Sequence, residues 1–133
     1  MREVRKNMPK EMFERGLAKR KEVMGTEYVD QAFASADDFN RGFQEYVTEA
    51  CWGFVWGDET LDAKTRSLMN LTMLAALNRM EEWELHFNGA INNGVTRDEL
   101  RAALHQIAAY CGAPAGVSCF RIAKKVLAEL DAA

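Results

Sequence analysis

Apolar residues recur at helical spacing through most of the chain, and no stretch alternates apolar and polar positions as a strand does. Residues 9–24 predict a first helix, with Met12, Phe13, Leu17 and Val23 as its apolar positions and Gly25 as its stop. Asp30 is the expected cap of a short helical piece through Phe33 and Ala34. Asp37 or Asp38 is the expected cap of a longer helix. It carries Phe39, Phe43, Tyr46, Val47, Ala50 and Cys51 into Trp52, Phe54, Val55 and Trp56, before Gly57 breaks it. Asp62 then caps a central helix that is apolar nearly all round from Leu68 to Leu77. Asn78 and Arg79 turn the chain into a further helix that ends at Asn92, Asn93 and Gly94.

Thr96 and Glu99 form a capping-box pair ahead of a helix whose stripe is Leu100, Leu104, Ile107 and Cys111. Gly112, Ala113 and Pro114 punctuate, with Pro114 suited to a first helical turn. A last helix carries Val117, Phe120, Ile122, Ala123, Val126, Leu127 and Leu130. The expectation is all-α and a single domain over residues 1–133. A central helix apolar on every side needs more cover than one small subunit supplies. Part of it is therefore expected to pack against another copy of the chain.

Composition narrows the function classes. With 48% hydrophobic and 28% charged residues the chain is ordinary for a globular domain. A net charge of -3 does not steer it to nucleic acid. The basic residues near the start, Arg2, Arg5, Lys6, Lys10, Arg15, Lys19, Arg20 and Lys21, alternate with acids and read as a solvated helix face, with an RNA-binding arm as the lesser alternative. No apolar signal segment occurs in the first thirty positions, and the Leu68–Leu77 run is too short to span a bilayer. Cys51, Cys111 and Cys119 form an odd set without CxxC spacing. This points to reduced, buried thiols in a cytoplasmic protein and away from a zinc site or a disulfide framework.

The candidate chemistry lies between residues 61 and 93. Arg66, Asn70, Met73 and Leu77 share one stripe of the central helix, and Glu82, His86 and Asn93 share one stripe of the next. If the stripes face each other, a cation, an amide, a carboxylate and an imidazole meet among methionines and leucines. Such a place suits chemistry on a small anion.

Several blocks in order resemble the carboxymuconolactone decarboxylase family: CWGFVW, LDAKTRSLMNLTMLAALNR, LHFNGAINNGVTRDELRAALHQIAAYCGAPAG and FRIAKKVLAEL. The resemblance covers residues 14–130 and leaves 1–13 as an N-terminal extension. It implies an AhpD-like helical bundle that assembles into trimers or hexamers. It also implies decarboxylation of 4-carboxymuconolactone, in the β-ketoadipate route of aromatic-acid catabolism. The redox branch of the superfamily carries CxxCxxxH. Here His86 takes the histidine position, but Arg79 and Glu82 stand at the two cysteine positions, so thiol exchange has no sulfur pair to run on.

Departures from the decarboxylase branch are equally specific. Where it reads WTRPGLD, this chain has Asp58 and Glu59; where it reads HxR, this chain has Asn88; where it reads PAAN, this chain has Gly116.

Decarboxylation of such a lactone leaves a carbanion delocalised toward the ring carbonyl. The pocket must be dry, donors must meet the developing oxyanion, and an acid must return a proton to carbon. The substrate is its own electron sink, so neither metal nor organic cofactor is expected. His86 is the expected proton donor, with Glu82 one turn earlier to orient it and Arg66 to hold a second carboxylate; Arg66 is equally placed to pair with Asp62. Arg79, Asn70, Trp52, Trp56, Tyr110 and Cys111 are the expected substrate-binding set. For the two tryptophans and Cys111, plain core packing is the competing reading. Met69, Met73 and Met80 read as filler or pocket lining rather than metal ligands, and His105 as a surface or interface residue. Two functions stay open: a cofactor-free decarboxylase of a small anionic acid, and a non-catalytic or redox-accessory oligomer on the same scaffold.

Overall fold

Helical periodicity becomes helix throughout a computed structural model that describes the backbone from Arg2 to Ala133 and the side chains from Lys10 onward. The basic face at Arg2, Arg5 and Lys6 lies outside the described side chains. Among the described residues there is no strand. The chain divides into two compact units, Met1–Asp62 and Ala63–Ala133.

The N-terminal unit holds α1 (Arg2–Met24), α2 (Thr26–Ala34), α3 (Arg41–Val47) and a π-helical segment, Thr48–Val55, that continues α3. The first helix begins well before residue 9. Its stop at Gly25 is as expected: that glycine has φ 93°, a conformation L side chains rarely adopt, and it also serves as the N-cap of α2. α2 therefore starts at Thr26, and Asp30 is inside it, pairing with Lys21 at 3.3 Å instead of capping. Asp37 does not cap the next helix directly. Its carboxylate accepts from the backbone N–H of Phe39 and of Asn40, which folds a turn ahead of α3, and Asn40 is the N-cap.

The expected helix from Phe39 to Trp56 is not uniformly wound. Trp56 N–H donates to the Cys51 carbonyl at 2.9 Å, an i to i+5 bond, and the change of pitch has a packing cause. α1 crosses this segment at glycines. A Cβ on Gly16 would collide with the Thr48 carbonyl, and one on Gly53 with the Met12 carbonyl. Arg15 of α1 donates from both Nε and Nη2 to the Gly53 carbonyl, at 3.1 and 2.7 Å. Behind them Arg20, only 6% exposed, donates to Thr48 Oγ1 at 3.0 Å and lies over the Phe33 ring.

The C-terminal unit holds α4 (Ala63–Ala76), α5 (Met80–Asn92), α6 (Arg97–Cys111) and α7 (Ala113–Ala132). α4 begins directly after Asp62. Asn78, at φ 57°, makes the turn into α5. The capping box of Thr96 and Glu99 is formed in full, and proline stands in the first turn of α7. The core is Leu71, Trp83, Phe87, Leu100, Leu104, Ile107, Cys119 and Val126 with smaller neighbours. Trp83 stacks on Phe87, and its indole N–H donates to the Leu71 carbonyl at 3.0 Å, so this wholly buried ring has a polar partner as well as an apolar one.

The central helix is buried on one face only, through Ser67, Leu71 and Ala75. On its other side Met69, Met73 and Leu77 are 45, 50 and 69% exposed.

Candidate active site

The site builds on the pairing of α4 with α5. Ser67, Leu71 and Ala75 are buried along α4 at four-residue steps, which sets the rotation of that helix. Arg66 and Asn70 consequently sit on its flank, both half-buried. Burial of Trp83, Phe87 and Ala90 fixes α5 in the same way and brings His86, half-buried, to the facing flank. There Asn70 Nδ2 meets His86 Nδ1 at 3.4 Å. Further along the seam, Asn93 Nδ2 donates to Ser67 Oγ at 2.9 Å.

Burial pushes the His86 imidazole below its ordinary value, and the Glu82 carboxylate one turn earlier pulls it back. Glu82 itself is exposed. Arg66 is one turn before Asn70 on the same stripe, while Arg79, at the N-cap of α5, is exposed. Tyr110 is 86% exposed at the end of α6, and Cys111 beside it is exposed. The expectation that Cys111 packs is thus replaced: it is the last residue of its helix, one position before the Gly112 break, where the apolar stripe runs out. Trp52 and Trp56, on the π-helical segment of the N-terminal unit, stack with their rings 4.9 Å apart and are nearly buried. His105 is exposed, its ring tilted 5.8 Å from that of Phe120.

The positions that depart from the decarboxylase pattern carry structural duties here. Asp58 accepts from the Thr60 backbone N–H and hydroxyl. Asn88 donates to the Glu84 carbonyl one turn back. Gly116 lies where α7 crosses α6, and a Cβ there would come within 2.7 Å of Ala108 Cβ.

Among the described residues no three His, Cys, Asp or Glu side chains gather as a metal-ligand set. Two grooves of this unit lie away from the Asn70–His86 contact. One of about 430 Å³ is lined by Leu68, Met69 and Thr72 of α4 with Glu99 and Gln106 of α6, and one of about 240 Å³ runs between Arg97, Arg101 and Lys124 over Phe87 and Phe120.

Two features escaped the sequence patterns. The Ser67–Asn93 bond joins residues whose polarity argued for exposure or for a helix end. Arg20 is buried although it stands in a charged run; its only signal is its place between Gly16 and Val23 on the face that α1 buries.

What the seam offers is an imidazole whose burial disfavours the charged form, an amide against it and a guanidinium one turn from that amide. These groups suit the handling of negative charge on a small molecule. The comparisons with known proteins point the same way. The model of the carboxymuconolactone decarboxylase family matches residues 41–125. The chain is 40% identical over 119 residues to nitrosuccinic acid decarboxylase npaB of Metarhizium robertsii, covering 90% of this chain and 83% of that protein. It is 36% identical over 121 residues to the 4-carboxymuconolactone decarboxylase of Acinetobacter baylyi, covering 91% and 90%. No helix among the described residues is long and apolar enough to cross a membrane. With an all-α, AhpD-like fold, the matched region and both relatives in agreement, the chain belongs to the carboxymuconolactone decarboxylase family.

Proposed function

We propose that this protein is a cofactor-free decarboxylase of a small dianionic acid, with His86 at the reacting end. The observation that carries the reading is the meeting of Asn70 and His86 in the half-buried α4–α5 seam of a chain that belongs to this family. Nitrosuccinic acid and 4-carboxymuconolactone share a skeleton. Each is a succinate whose substituted carbon bears a carboxylate and an electron sink, a nitro group in one and an unsaturated lactone in the other. A substrate of that class loses carbon dioxide when the electron pair of the breaking carbon–carbon bond passes into the sink. His86 then meets the charge that develops there, and Arg66 holds the carboxylate that stays. The higher identity to the nitrosuccinic acid enzyme makes nitrosuccinate the first acid to try and 4-carboxymuconolactone, which would place the protein in aromatic-acid catabolism, the second.

The exposed methionines of α4 support assembly of several copies through that helix, as a trimer or hexamer. The test of the activity is release of carbon dioxide from each acid by the purified protein, with His86→Ala as the control. Turnover of either acid that falls at least a hundredfold in the variant supports the reading. Absence of turnover with both acids removes it and leaves the scaffold reading, in which the fold serves without catalysis.

A further inference from the structure

The contact between Asn70 and His86 fixes more than a position. The amide nitrogen of Asn70 carries two protons and no lone pair to give, so it can only donate. The ring nitrogen it meets, Nδ1 of His86, can then only accept. A neutral imidazole has one proton, and with Nδ1 accepting, that proton is on Nε2. Protonating Nδ1 as well would set N–H against N–H at this contact, so the same geometry opposes the imidazolium.

We propose that Asn70 is a positioning residue that holds His86 as its Nε2–H tautomer, and that His86 works as a neutral hydrogen-bond donor to the electron sink of the substrate rather than as a cationic acid. This rests on the decarboxylase reading given above. The Glu82 carboxylate, one turn earlier on the same helix, is a charge that acts on the imidazole, and Arg66 stands one turn from Asn70 on α4. Burial of the ring acts in the same direction as the amide.

The reaction balances without a proton leaving His86. The bond between the substituted carbon and its carboxylate breaks, carbon dioxide departs, and the electron pair moves through the carbanion to the oxygen of the nitro or lactone group. Nε2–H donates to that oxygen as its charge grows, and the carbanion afterwards takes a proton from water. A neutral donor suits this role, because its proton is shared with the oxyanion and not surrendered to it.

The chain has two histidines, so nitrogen-15 spectra of the imidazoles can be assigned with a His105→Gln variant. The wild-type spectrum is expected to show His86 protonated at Nε2 and unprotonated at Nδ1 at neutral pH. Asn70→Asp replaces a donor by an acceptor at the same place. It is expected to move the proton to Nδ1 and to lower kcat by about 10²–10⁴-fold, with KM changed far less. Asn70→Ala is expected to give a mixture of tautomers and an intermediate kcat.

A wild-type Nδ1–H tautomer would overturn the proposal, as would an Asn70→Asp variant that retains full kcat. The spectra need no substrate. If neither acid is turned over, the tautomer still stands or falls on its own, separately from the decarboxylase reading.

Discussion

Asn93 grips Ser67: the amide at the end of α5 donates to a wholly buried hydroxyl in the second turn of α4, 2.9 Å away. The bond closes the seam at the end opposite the turn at Asn78, and His86 lies between the two. Replacing Asn93 with leucine leaves the Ser67 hydroxyl buried without this donor. The expected loss is about 1–3 kcal/mol in urea denaturation. The double variant with Ser67→Ala should recover part of it, because the stranded group is then gone. Equal losses in the single and double variants would show that the bond contributes nothing.

Glycine substitutions should separate close packing from mere helix propensity. Gly53→Ala drives a methyl group into the Met12 backbone and should lower stability by about 1–3 kcal/mol. Gly42→Ala, on α3 with nothing within 4 Å of the added carbon, should raise it by about 0.5–1 kcal/mol. Thermal melts of the two variants moving in opposite directions would verify the α1 crossing.

The thiols should differ sharply in reactivity. Cys51 and Cys111 are exposed, whereas Cys119 is buried, and burial pushes its thiol up to about 11, with Cys111 adding to the effect. Iodoacetamide at mildly alkaline pH should label the first two in the native protein and reach Cys119 only after unfolding, as read by mass spectrometry. A thiol pKa raised in the folded state stabilises fully below the unfolded value. That contribution disappears as pH climbs from about 9 toward about 11.

His86 acts in the opposite pH range. Its folded pKa is depressed, so on acidification the unfolded chain takes up a proton first. Stability should therefore fall as pH drops below about 6.5, the ordinary imidazole value, and level off once the folded pKa is passed. His86→Gln should flatten that part of the profile. An unchanged slope would mean that the imidazole is not held in the neutral form.

The exposed side of α4 gives a fifth test. Met73→Glu places a charge in the middle of the apolar strip formed by Met69, Met73 and Leu77. Light scattering after size exclusion should show the wild type as an oligomer and the variant as smaller species, with its helical content retained.

Much of this was legible in the chain because it rests on short-range rules. The Thr96–Glu99 box, the Gly25 stop, the turn at Asn78 and the proline of α7 each depend on residues within a few positions of one another. Asn70 and His86 were placed on stripes that could face one another, and the facing itself was decided by Leu71, Trp83 and Phe87, which choose the buried sides of their helices. What could not be read was set at long range. Asp30 looked like a cap because nothing nearby revealed that Gly25 would start α2 earlier. The change of pitch at Thr48 follows from α1, more than thirty residues away, pressing a glycine face against the segment. Whether Tyr110, Cys111 and Arg79 touch a substrate was a matter of family likeness, which spacing has no means to test.

The wide winding at Thr48–Val55 also makes the segment intolerant of length changes. An α-helix advances about 100° per residue, so inserting or removing one residue here without a matching change of winding would swing the residues that follow within this unit by roughly that angle. Trp56 would leave the Trp52 ring, and the Gly53 carbonyl would turn away from the Arg15 fork. A substitution such as Gly42→Ala leaves the register of this unit untouched, whereas an insertion or deletion between positions 48 and 55 resets it, parting the stacked indoles from each other and the arginine fork from its carbonyl.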